Sequence, residues 1–393
     1  MLATKVHDVR ELARQAAAFR KELLRVKRRL GSKELQWYPY YTLQVFPVLD
    51  KLLTGAHRDL LGLAGADPIL DIGCGDGDSA FFFESLGRSV DAIDYAPTNY
   101  NQMRGVAALA RELQSSVGVY EMDLDSFFSV PRKRYGLTLC HGLLYHLKNP
   151  YYLLETLARV SRYCLLNTRV ARVTPDQRTS LHEIPVAYLV DDLETNNDST
   201  NFWIFSEAGL RRIFARTCWE VCDYLTTGCR EGSDPANRER DERAYCLLRS
   251  PALDRRWSVT LLEGWHPLEG GRFRWTKQRF SVKLEASSAA PCSELSLRFH
   301  LPQELLAKLG AVSLSAAVNG SALPGETYTA PGDHTFSRRI PPGLADGALL
   351  HLEFTLDKAL APGAQDAREL GVAISFAREG CAVADANLPL TLR

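Results

Sequence analysis

The chain has 393 residues, more than the roughly 100–200 of one typical domain, so at least two domains are expected. Hydrophobic residues make up 46% and charged residues 24%, as in folded globular proteins, and no apolar run reaches the roughly 18 residues that would cross a bilayer. The 47 basic residues equal the 47 acidic ones, which argues against bulk attraction to nucleic acid. Scattered cysteines without paired metal-ligand spacing favour reduced thiols, a cytoplasmic location and no metal site.

The N-terminal segment is predicted to form an amphipathic helix that ends at Gly31. Its apolar residues recur at three- and four-residue spacing, and its polar side is mostly basic. We interpret it as a helix lying on the following domain with its charged side in water. The alternative is a phosphate-binding or membrane-surface role. An aromatic segment that includes Trp37 and Tyr40 follows, then an apolar helix over 43–53, and residues 1–60 are predicted to form a helical cover.

The most informative segment is residues 68–78, a buried strand that runs into a glycine-rich turn. Three glycines stand at alternate positions: Gly73, Gly75 and Gly77. Glycine lets the backbone turn sharply and approach a ligand closely, and the helix that begins near Ser79 presents free N–H groups to it. A second strand ends in Asp94, about twenty residues beyond the turn, where an acid accepts from both ribose hydroxyls of a nucleotide. The segment therefore predicts a site for a nucleoside-containing cofactor.

The glycine spacing distinguishes two kinds of cofactor. A dinucleotide site has Gly-x-Gly-x-x-Gly, whereas this chain has Gly-x-Gly-x-Gly preceded by Asp71, which would repel a pyrophosphate and attract a cation. The run Leu-Asp-Ile-Gly-Cys-Gly-Asp-Gly resembles the first motif of the class I S-adenosylmethionine-dependent methyltransferases. That resemblance implies that residues 73–77 surround the methionine part of S-adenosylmethionine and that Asp94 holds its ribose.

Two later strands follow along the chain in the same order as in the class I methyltransferases. A third strand over 117–120 leads to Asp123, an acid placed to accept from an adenine amine, and a fourth over 135–139 ends where the family's active-site loop begins. Strands and helices alternate, which predicts an α/β fold with a Rossmann-like doubly wound sheet over residues 61–250. The resemblance implies that the cofactor is S-adenosyl-L-methionine and is bound by Asp71, Gly73, Cys74, Gly75, Gly77, Asp94, Tyr95, Asp123, Leu124 and His141.

The loop after the fourth strand carries the first candidates for chemistry. Methyl transfer from a sulfonium is an in-line displacement, so the protein must mainly align the acceptor and take its proton. His146 can act as a base near neutral pH, and Tyr145 beside it is a second catalytic candidate. Packing and capping roles are the alternative for both. The Leu-Tyr-His run resembles the wobble-uridine transfer RNA methyltransferase-like family, although Leu147 stands where that family has an arginine, which argues against an anionic cofactor or nucleotide.

A substrate-covering insertion is predicted after the fifth strand, over residues 181–207, because polar and aromatic side chains are dense there and binding residues concentrate in loops placed by a rigid sheet. Glu183 is the third catalytic candidate. Ser206 is predicted to cap a helix over 207–214. The pattern Asn-x-Trp, serine and helix again resembles the wobble-uridine family. Substrate contacts are expected from Trp37, Tyr40, Tyr188, Asn197, Asn201 and Trp203.

The sequence pattern changes near residue 251. An antiparallel pair over 221–225 and 244–248 is predicted to close the α/β domain, and short alternating strands separated by turns follow. They are predicted over 280–284, 295–301, 312–315, 350–356 and 372–376. The run Val-Asn-Gly at 318–320 is a hairpin signal, so a β-sandwich or jelly roll is predicted for 251–393. Residues 264–276 resemble sandwich modules attached to enzymes of bacterial glycan or secondary metabolism. That resemblance implies carbohydrate contacts, and a core role for the tryptophans is the alternative.

The predicted function is S-adenosylmethionine-dependent methyl transfer to a small metabolite or a sugar-containing natural product, with O-methylation favoured. Two alternatives stay open. A transfer RNA wobble-uridine modifying enzyme is favoured by the basic first helix, but the neutral total charge and the extra sandwich oppose it. A non-catalytic, cofactor-binding scaffold whose sandwich binds a partner is opposed by the intact acids Asp71, Asp94 and Asp123. The expected partner is thus a small-molecule acceptor, with neither nucleic acid nor membrane.

Overall fold

The chain divides into two compact units, residues 1–254 and 255–393. The computed structural model describes residues 8–31, 35–40, 42–195, 197–229, 232–253, 257–270, 272–286, 293–345, 349–363, 366–375 and 389–392. The first unit contains helices and a mixed sheet, and it includes both the predicted helical cover and the predicted α/β domain. The second unit consists mainly of antiparallel strands.

Helix α1 (Val9–Leu30) begins at Asp8, whose carboxylate accepts a hydrogen bond from the Arg10 N–H, and ends at Gly31 as predicted. Its buried face consists of Val9, Leu12, Ala16, Leu23 and Lys27. This face contacts α2 (Phe46–Leu52) and joins the hydrophobic core of the first unit. A 3-10 helix over Thr42–Val45 precedes α2, so the helix predicted over 43–53 is split in two, and a proline in the first turn of α2 suits that helix start. Helix α3 (Leu60–Ala64) follows.

Five parallel strands form the centre of the sheet in the order β3-β2-β1-β4-β5. They are β1 (Ile69–Ile72), β2 (Val90–Asp94), β3 (Gly118–Glu121), β4 (Tyr135–His141) and β5 (Ser161–Ala171). The connecting helices are α4 (Asp78–Ser85), α5 (Arg104–Glu112) and α6 (Pro150–Val160). Every residue of β1 is buried, as expected for a parallel strand covered on both faces. The prediction of a Rossmann-like α/β fold is thereby confirmed.

Helix α5 begins only at Arg104, five residues after Asn99. The Asn99 side chain accepts hydrogen bonds from the N–H groups of Asn101 (3.1 Å) and Met103 (2.9 Å). Asparagine side chains compete in this way with helical backbone bonds. Residues 99–103 therefore form turns, and the segment between β2 and α5 stays close to the ends of the strands.

The carboxyl end of β5 carries a small inserted hairpin. Strand β7 (Trp203–Ser206) pairs in parallel with Val170 and Ala171, and β6 (Ala187–Leu189) pairs antiparallel with β7. Val170 also pairs with Glu242 of β9 (Glu242–Arg249) on its other edge, so β7 lies on the edge that β5 shares with β4. Since β4 pairs with β5 only as far as residue 167, the hairpin lies beyond the end of β4.

The first unit closes with an antiparallel pair, as predicted. Strand β8 (Glu220–Gly228) pairs with β9, and β9 pairs antiparallel with β5. Helix α7 (Glu207–Arg216) precedes them and begins at Ser206, whose hydroxyl oxygen accepts from the Gly209 N–H at 3.0 Å. The predicted N-cap is therefore confirmed.

The second unit contains two five-stranded antiparallel sheets, in the orders β10-β12-β17-β14-β15 and β11-β18-β13-β16, with β19 also paired to β13. The strands are β10 (Trp257–Leu261), β11 (Phe273–Trp275), β12 (Arg279–Ala286), β13 (Glu294–Leu301), β14 (Val312–Val318), β15 (Ser321–Tyr328), β16 (Gly332–Arg339), β17 (Leu349–Leu356), β18 (Ala373–Ser375) and β19 (Leu390–Leu392). Apolar residues of both sheets share one hydrophobic core. A helix, α8 (Gln303–Leu309), interrupts the strands and was not predicted. Residue 376 lies outside the described residues.

The hairpin signal at 318–320 is confirmed. Val318 pairs with Ser321, and the two residues between them, Asn319 and Gly320, have φ of 48° and 80°. Positive φ at both central residues is the requirement of a type I′ turn, which matches the twist of the flanking strands.

Three further expectations concern cysteines, metals and membranes. Six described cysteines are free: Cys74, Cys140, Cys164, Cys222, Cys229 and Cys246. Cys218, however, is disulfide-bonded, so the expectation of reduced thiols was wrong for that residue. Within the described ranges, no group of three or more acidic, histidine or cysteine side chains could hold a metal ion. Among the same residues, no helix combines the length and apolar character needed to cross a membrane.

Candidate cofactor and active site

The glycine-rich turn connects β1 to α4 and requires its three glycines. Their φ values are 72° at Gly73, 60° at Gly75 and 81° at Gly77. Side chains other than glycine rarely adopt this left-handed conformation. A Cβ on Gly73 would also lie 3.0 Å from the Leu143 side chain, and one on Gly75 would lie 3.4 Å from the Tyr38 ring. The turn is held to β2 because the N–H groups of Gly73 and Cys74 donate to the Ile93 carbonyl at 2.9 and 3.1 Å.

Asp94 lies at the end of β2, directly beside this turn. Its Oδ2 accepts from the Gly75 N–H at 2.7 Å, and its Oδ1 accepts from the Tyr95 N–H at 2.8 Å. Burial raises the pKa of Asp94, and these two hydrogen bonds oppose the rise. Each carboxylate oxygen has further acceptor capacity, which fits a pair of ribose hydroxyls.

Asp71 is buried at the end of β1 and accepts from the Ala80 N–H of α4 at 3.1 Å. Burial raises its pKa to about 7.

At the end of β3, the Met122 N–H donates to the Asp94 carbonyl at 2.8 Å, which brings the following Asp123 and the buried Leu124 close to β2. The Asp123 carboxylate accepts from the Asp125 N–H at 3.0 Å. The predicted adenine-contacting residues therefore lie at the same edge of the sheet as Asp94.

A buried lysine of α1 reaches the glycine-rich turn. Lys27 Nζ lies 2.9 Å from an Asp76 oxygen and 2.8 Å from an Asp78 oxygen, and the three side chains are 5%, 1% and 7% exposed. Asp76 also accepts from the Tyr38 N–H at 2.8 Å and from the Asn101 amide at 2.7 Å. This contact was not predicted, although Lys27 stands at the spacing of the apolar face of α1, which was the available signal. The N-terminal helix is thus tied to the cofactor turn by a buried ion pair.

Three tyrosines lie next to the turn. The Tyr38 ring is 5.9 Å from the Tyr40 ring and 6.0 Å from the Tyr100 ring. Tyr40 is 65% exposed, whereas burial and the nearby Asp94 raise the pKa of Tyr38, so its phenol keeps its proton. Trp37 packs instead against the hydrophobic core, with Lys27 Nζ 5.3 Å from its ring centroid. Tyr38, which was not predicted, therefore lies against the turn, while the predicted Trp37 packs against the hydrophobic core.

His141 ends β4 and presents an unused hydrogen-bonding atom. Its Nδ1 lies 3.5 Å from the Asn167 amide nitrogen on β5, and burial lowers its pKa to about 4. The imidazole is therefore neutral near pH 7. Because the Asn167 amide donates to Nδ1, the hydrogen of the neutral ring is on Nε2. That Nε2 is buried and has no hydrogen-bond partner among the described residues. A buried, unpaired donor in a cofactor site fits an acceptor group of a ligand.

Tyr145 and His146 lie in a 3-10 helix (Leu144–His146), with ring centroids 4.4 Å apart. His146 Nδ1 lies 3.1 Å from the Thr200 carbonyl oxygen and 2.9 Å from the Thr200 hydroxyl. The Phe202 N–H donates to the Tyr145 carbonyl at 2.8 Å. The inserted hairpin therefore packs on the loop that follows β4, as its position beyond that strand requires.

An arginine from another strand approaches the same loop. Arg243 of β9 donates to the Tyr145 hydroxyl at 3.2 Å, and its guanidinium lies 5.6 Å from the Tyr145 ring centroid. Its charge is paired with Asp241 at 3.0 Å. The chain has Leu147 where the wobble-uridine family has an arginine, and the pairing that brings Arg243 of β9 here was not predictable from the sequence.

The predicted substrate-binding residues of the inserted segment differ in their surroundings. Trp203 donates from Nε1 to the Lys148 carbonyl at 3.1 Å, and the buried Asn201 donates from its N–H to the Asp198 carbonyl at 3.0 Å, so both lie in the layer against the loop. Asn197 is exposed. Tyr188 donates to Glu194 at 2.7 Å, and burial raises its pKa to about 12.

Glu183 is not brought to the loop by any described contact. Its side chain is 90% exposed and lies 3.4 Å from His182 Nε2, and the His182 side chain is itself 56% exposed. No hydrogen bond described for the chain joins Glu183 to Tyr145 or His146.

The known proteins that this chain resembles include methyltransferases. A family model described as a methyltransferase domain matches residues 69–163, the segment from β1 to β5. No curated protein matches the chain. Among solved structures, the N-terminal domain of EvdMO1 with SAH bound is 17% identical (63% of this chain, 99% of that chain, TM-score 0.38). An S-adenosylmethionine-dependent methyltransferase from Clostridium acetobutylicum ATCC 824 is 10% identical (52% and 89%, TM-score 0.35). The PH0226 protein from Pyrococcus horikoshii OT3 is 13% identical (52% and 87%, TM-score 0.34).

The matched residues are the ones that build the site. The glycine-rich turn, Asp94 and the loop after β4 all lie within residues 69–163. The free acceptor capacity of Asp94 and the unpaired donor of His141 fit S-adenosylmethionine. The chain therefore contains a class I methyltransferase domain and is an S-adenosylmethionine-dependent methyltransferase.

Proposed function

We propose that the enzyme transfers a methyl group to a hydroxyl oxygen of a small metabolite or of a sugar-containing natural product. The observation that carries this proposal is the environment of His146. A backbone carbonyl can only accept a hydrogen bond, so Nδ1 of His146, 3.1 Å from the Thr200 oxygen, carries the hydrogen in the neutral ring. Nε2 then has the lone pair of a base. Burial lowers the pKa of His146, which keeps the ring neutral near pH 7.

Each residue of the loop has a role in this proposal. S-Adenosylmethionine supplies an activated methyl group when bound. His146 Nε2 accepts the proton of the acceptor hydroxyl, and Thr200 fixes the orientation of the ring. Tyr145 accepts a hydrogen bond from Arg243, which leaves its own O–H free to donate to the acceptor. Trp203 and Tyr40 contribute apolar surface, and the exposed Glu183 has no role.

Replacing His146 with alanine is expected to lower kcat by about a hundredfold, since general-base catalysis contributes roughly this much. The affinity for S-adenosylmethionine should stay unchanged, because none of its predicted contacts comes from the 3-10 helix that carries His146. Turnover is measured with labelled S-adenosylmethionine on extracts of the source cells, then on the purified acceptor, and cofactor affinity by calorimetry. His351→Ala, which changes a histidine of the second unit whose side chain is 43% exposed, is the matched control.

Full turnover by the His146 variant would remove the base from the proposal and leave alignment of the acceptor as the main contribution of the protein. Absence of any methylated product from wild-type enzyme and extract would favour the cofactor-binding scaffold instead.

The RNA alternative is weakened by contacts of the basic helix. Arg25 pairs with Glu22, Arg29 pairs with Glu112, and Arg28 donates to a carbonyl of its own helix. We therefore expect no salt-sensitive binding of transfer RNA, which phosphate contacts would produce. Gel shifts at low and moderate salt measure this. A shift that is lost on changing Arg20, Arg25, Arg28 and Arg29 to alanine would favour the wobble-uridine enzyme.

We further propose that the two sheets of the second unit form a β-sandwich. Trp265 packs against its core and donates from Nε1 to the Ser281 carbonyl at 2.9 Å, and Trp275 also packs against the core. These contacts support the packing role of the tryptophans over a carbohydrate-binding one.

The free cysteines support a cytoplasmic location, and the disulfide at Cys218 counts against it.

A further inference from the structure

A chain of hydrogen bonds leads from Asp198 to His146. The Thr200 hydroxyl lies 2.5 Å from Asp198 Oδ1 and 2.9 Å from His146 Nδ1. Asp198 Oδ1 also accepts from the Thr200 N–H at 2.9 Å. All three side chains are partly buried, and the segment that carries Asp198 and Thr200 continues to Phe202, whose N–H donates to the Tyr145 carbonyl.

The direction of each hydrogen bond follows from the atoms involved. An ionised carboxylate only accepts, so the single hydroxyl hydrogen of Thr200 points toward Asp198. The lone pairs of the Thr200 oxygen are then available to the imidazole, which must donate from Nδ1. The Thr200 carbonyl imposes the same requirement on that nitrogen. Two independent acceptors therefore select one tautomer of His146, the tautomer whose Nε2 is free to take a proton.

We infer that Asp198 is a positioning residue that acts through Thr200 to hold His146 in the tautomer and orientation of a base. This inference rests on the proposed function. The simpler alternative is that the Asp198 side chain only closes its own turn by bonding the Thr200 N–H. The two interpretations differ in whether the properties of the His146 imidazole change when the charge of the Asp198 carboxylate is removed.

The charged and titratable groups that face His146 set the sign of the effect. Burial lowers the pKa of His146, Asp198 on the insertion raises it, and Arg243 on β9 lowers it, while the neighbouring Tyr145 contacts its ring. In Asp198→Asn the raising influence is lost, so the pKa falls further. A base must be deprotonated to act, so the acidic limb of the pH profile of kcat/KM should move to lower pH.

The test uses the full chain and the Asp198→Asn variant, whose amide oxygen can still accept from the Thr200 N–H. We expect kcat to fall by about tenfold, the affinity for S-adenosylmethionine to stay the same and the acidic limb to move to lower pH. Thr200→Val should reproduce the loss, and Thr200→Ser should retain activity because it keeps the hydroxyl. Asp192→Asn, an exposed carboxylate of the same segment, is the matched control.

The double variant His146→Ala/Asp198→Asn separates this inference from the proposed function. If Asp198 acts through His146, the double variant should be no slower than His146→Ala alone. A further tenfold loss in the double variant, or an unmoved pH profile in Asp198→Asn, would overturn the inference while the base remained. Full turnover by His146→Ala would overturn the base itself.

A measurement without cofactor or acceptor is also available. Nitrogen-15 NMR of histidine-labelled protein should show His146 in the Nδ1–H tautomer, with Thr200→Val increasing the share of the Nε2–H form and Asp198→Asn lowering the pKa of the ring. An Nε2–H tautomer in the wild-type chain would contradict the hydrogen-bond directions argued above.

Discussion

Replacing Lys27 with methionine is expected to lower the free energy of unfolding of the first unit by about 3–5 kcal/mol and to weaken S-adenosylmethionine binding at least tenfold. Removing one partner of a buried ion pair leaves uncompensated charge, here the carboxylates of Asp76 and Asp78. The turn that carries Gly75 and Gly77 would then lose its tether to α1. Urea unfolding followed by tryptophan fluorescence measures the free energy of unfolding, since Trp37 lies beside Lys27. Calorimetry measures the affinity for S-adenosylmethionine.

The pH dependence of the Lys27 variant has a definite sign. Burial already raises the pKa of Asp78, and Lys27 opposes that rise. Without the lysine the pKa of Asp78 rises further, and the resulting cost applies above the unfolded value of about 3.9. The difference from wild type should therefore shrink as the pH is lowered toward that unfolded value. Arg29→Met is the matched control, since Arg29 on the same helix is 66% exposed and its pair with Glu112 should contribute at most about 1 kcal/mol. Equal losses in both variants would contradict the proposed tether.

Replacing Asp94 with alanine is expected to weaken S-adenosylmethionine binding by about a hundredfold. The proposed ribose contacts are two charge-assisted hydrogen bonds, each contributing about 1.5–3 kcal/mol. The variant also loses the acceptor for the Gly75 N–H at 2.7 Å. Isothermal calorimetry measures the affinity directly.

Asp94→Asn separates the two parts of this effect, because the amide keeps an acceptor for Gly75 but lacks the second charged oxygen. We expect its affinity to lie between those of wild type and Asp94→Ala. Unchanged affinity in the alanine variant would remove Asp94 from the cofactor site and place the ribose elsewhere.

The sequence predicted the parts of the site that are local in the chain. The glycine turn, the acid that ends β2 and the cap at Ser206 are each specified within a few residues, because left-handed φ values and N-cap bonds have strong residue preferences. The parallel sheet was predictable from apolar strands that alternate with helices. The hairpin at Asn319 and Gly320 belongs to the same class of local signal.

The residues that complete the site come together only through tertiary structure. Tyr38 approaches Gly75 because Asp76 holds its N–H, and Arg243 approaches Tyr145 because β9 pairs with β5. Neither has a local motif. The extension of β5 beyond residue 167 depends on pairing with β7 and β9, which no local signal in the sequence of β5 specifies. Glu183 was selected for its residue type alone, and the fold leaves it in solvent.

The ion pair between α1 and the glycine turn also bears on how the protein folds. Lys27 and Asp76 are 49 positions apart, so their contact requires a loop to close, and α1 leaves the ribosome before its partners in the glycine-rich turn and on α4 exist. The apolar face of α1 has no complete binding surface during that interval. Contacts of this sequence separation form slowly compared with helix formation. The cofactor turn should therefore reach its native shape only in a late step of folding, after the central strands have paired.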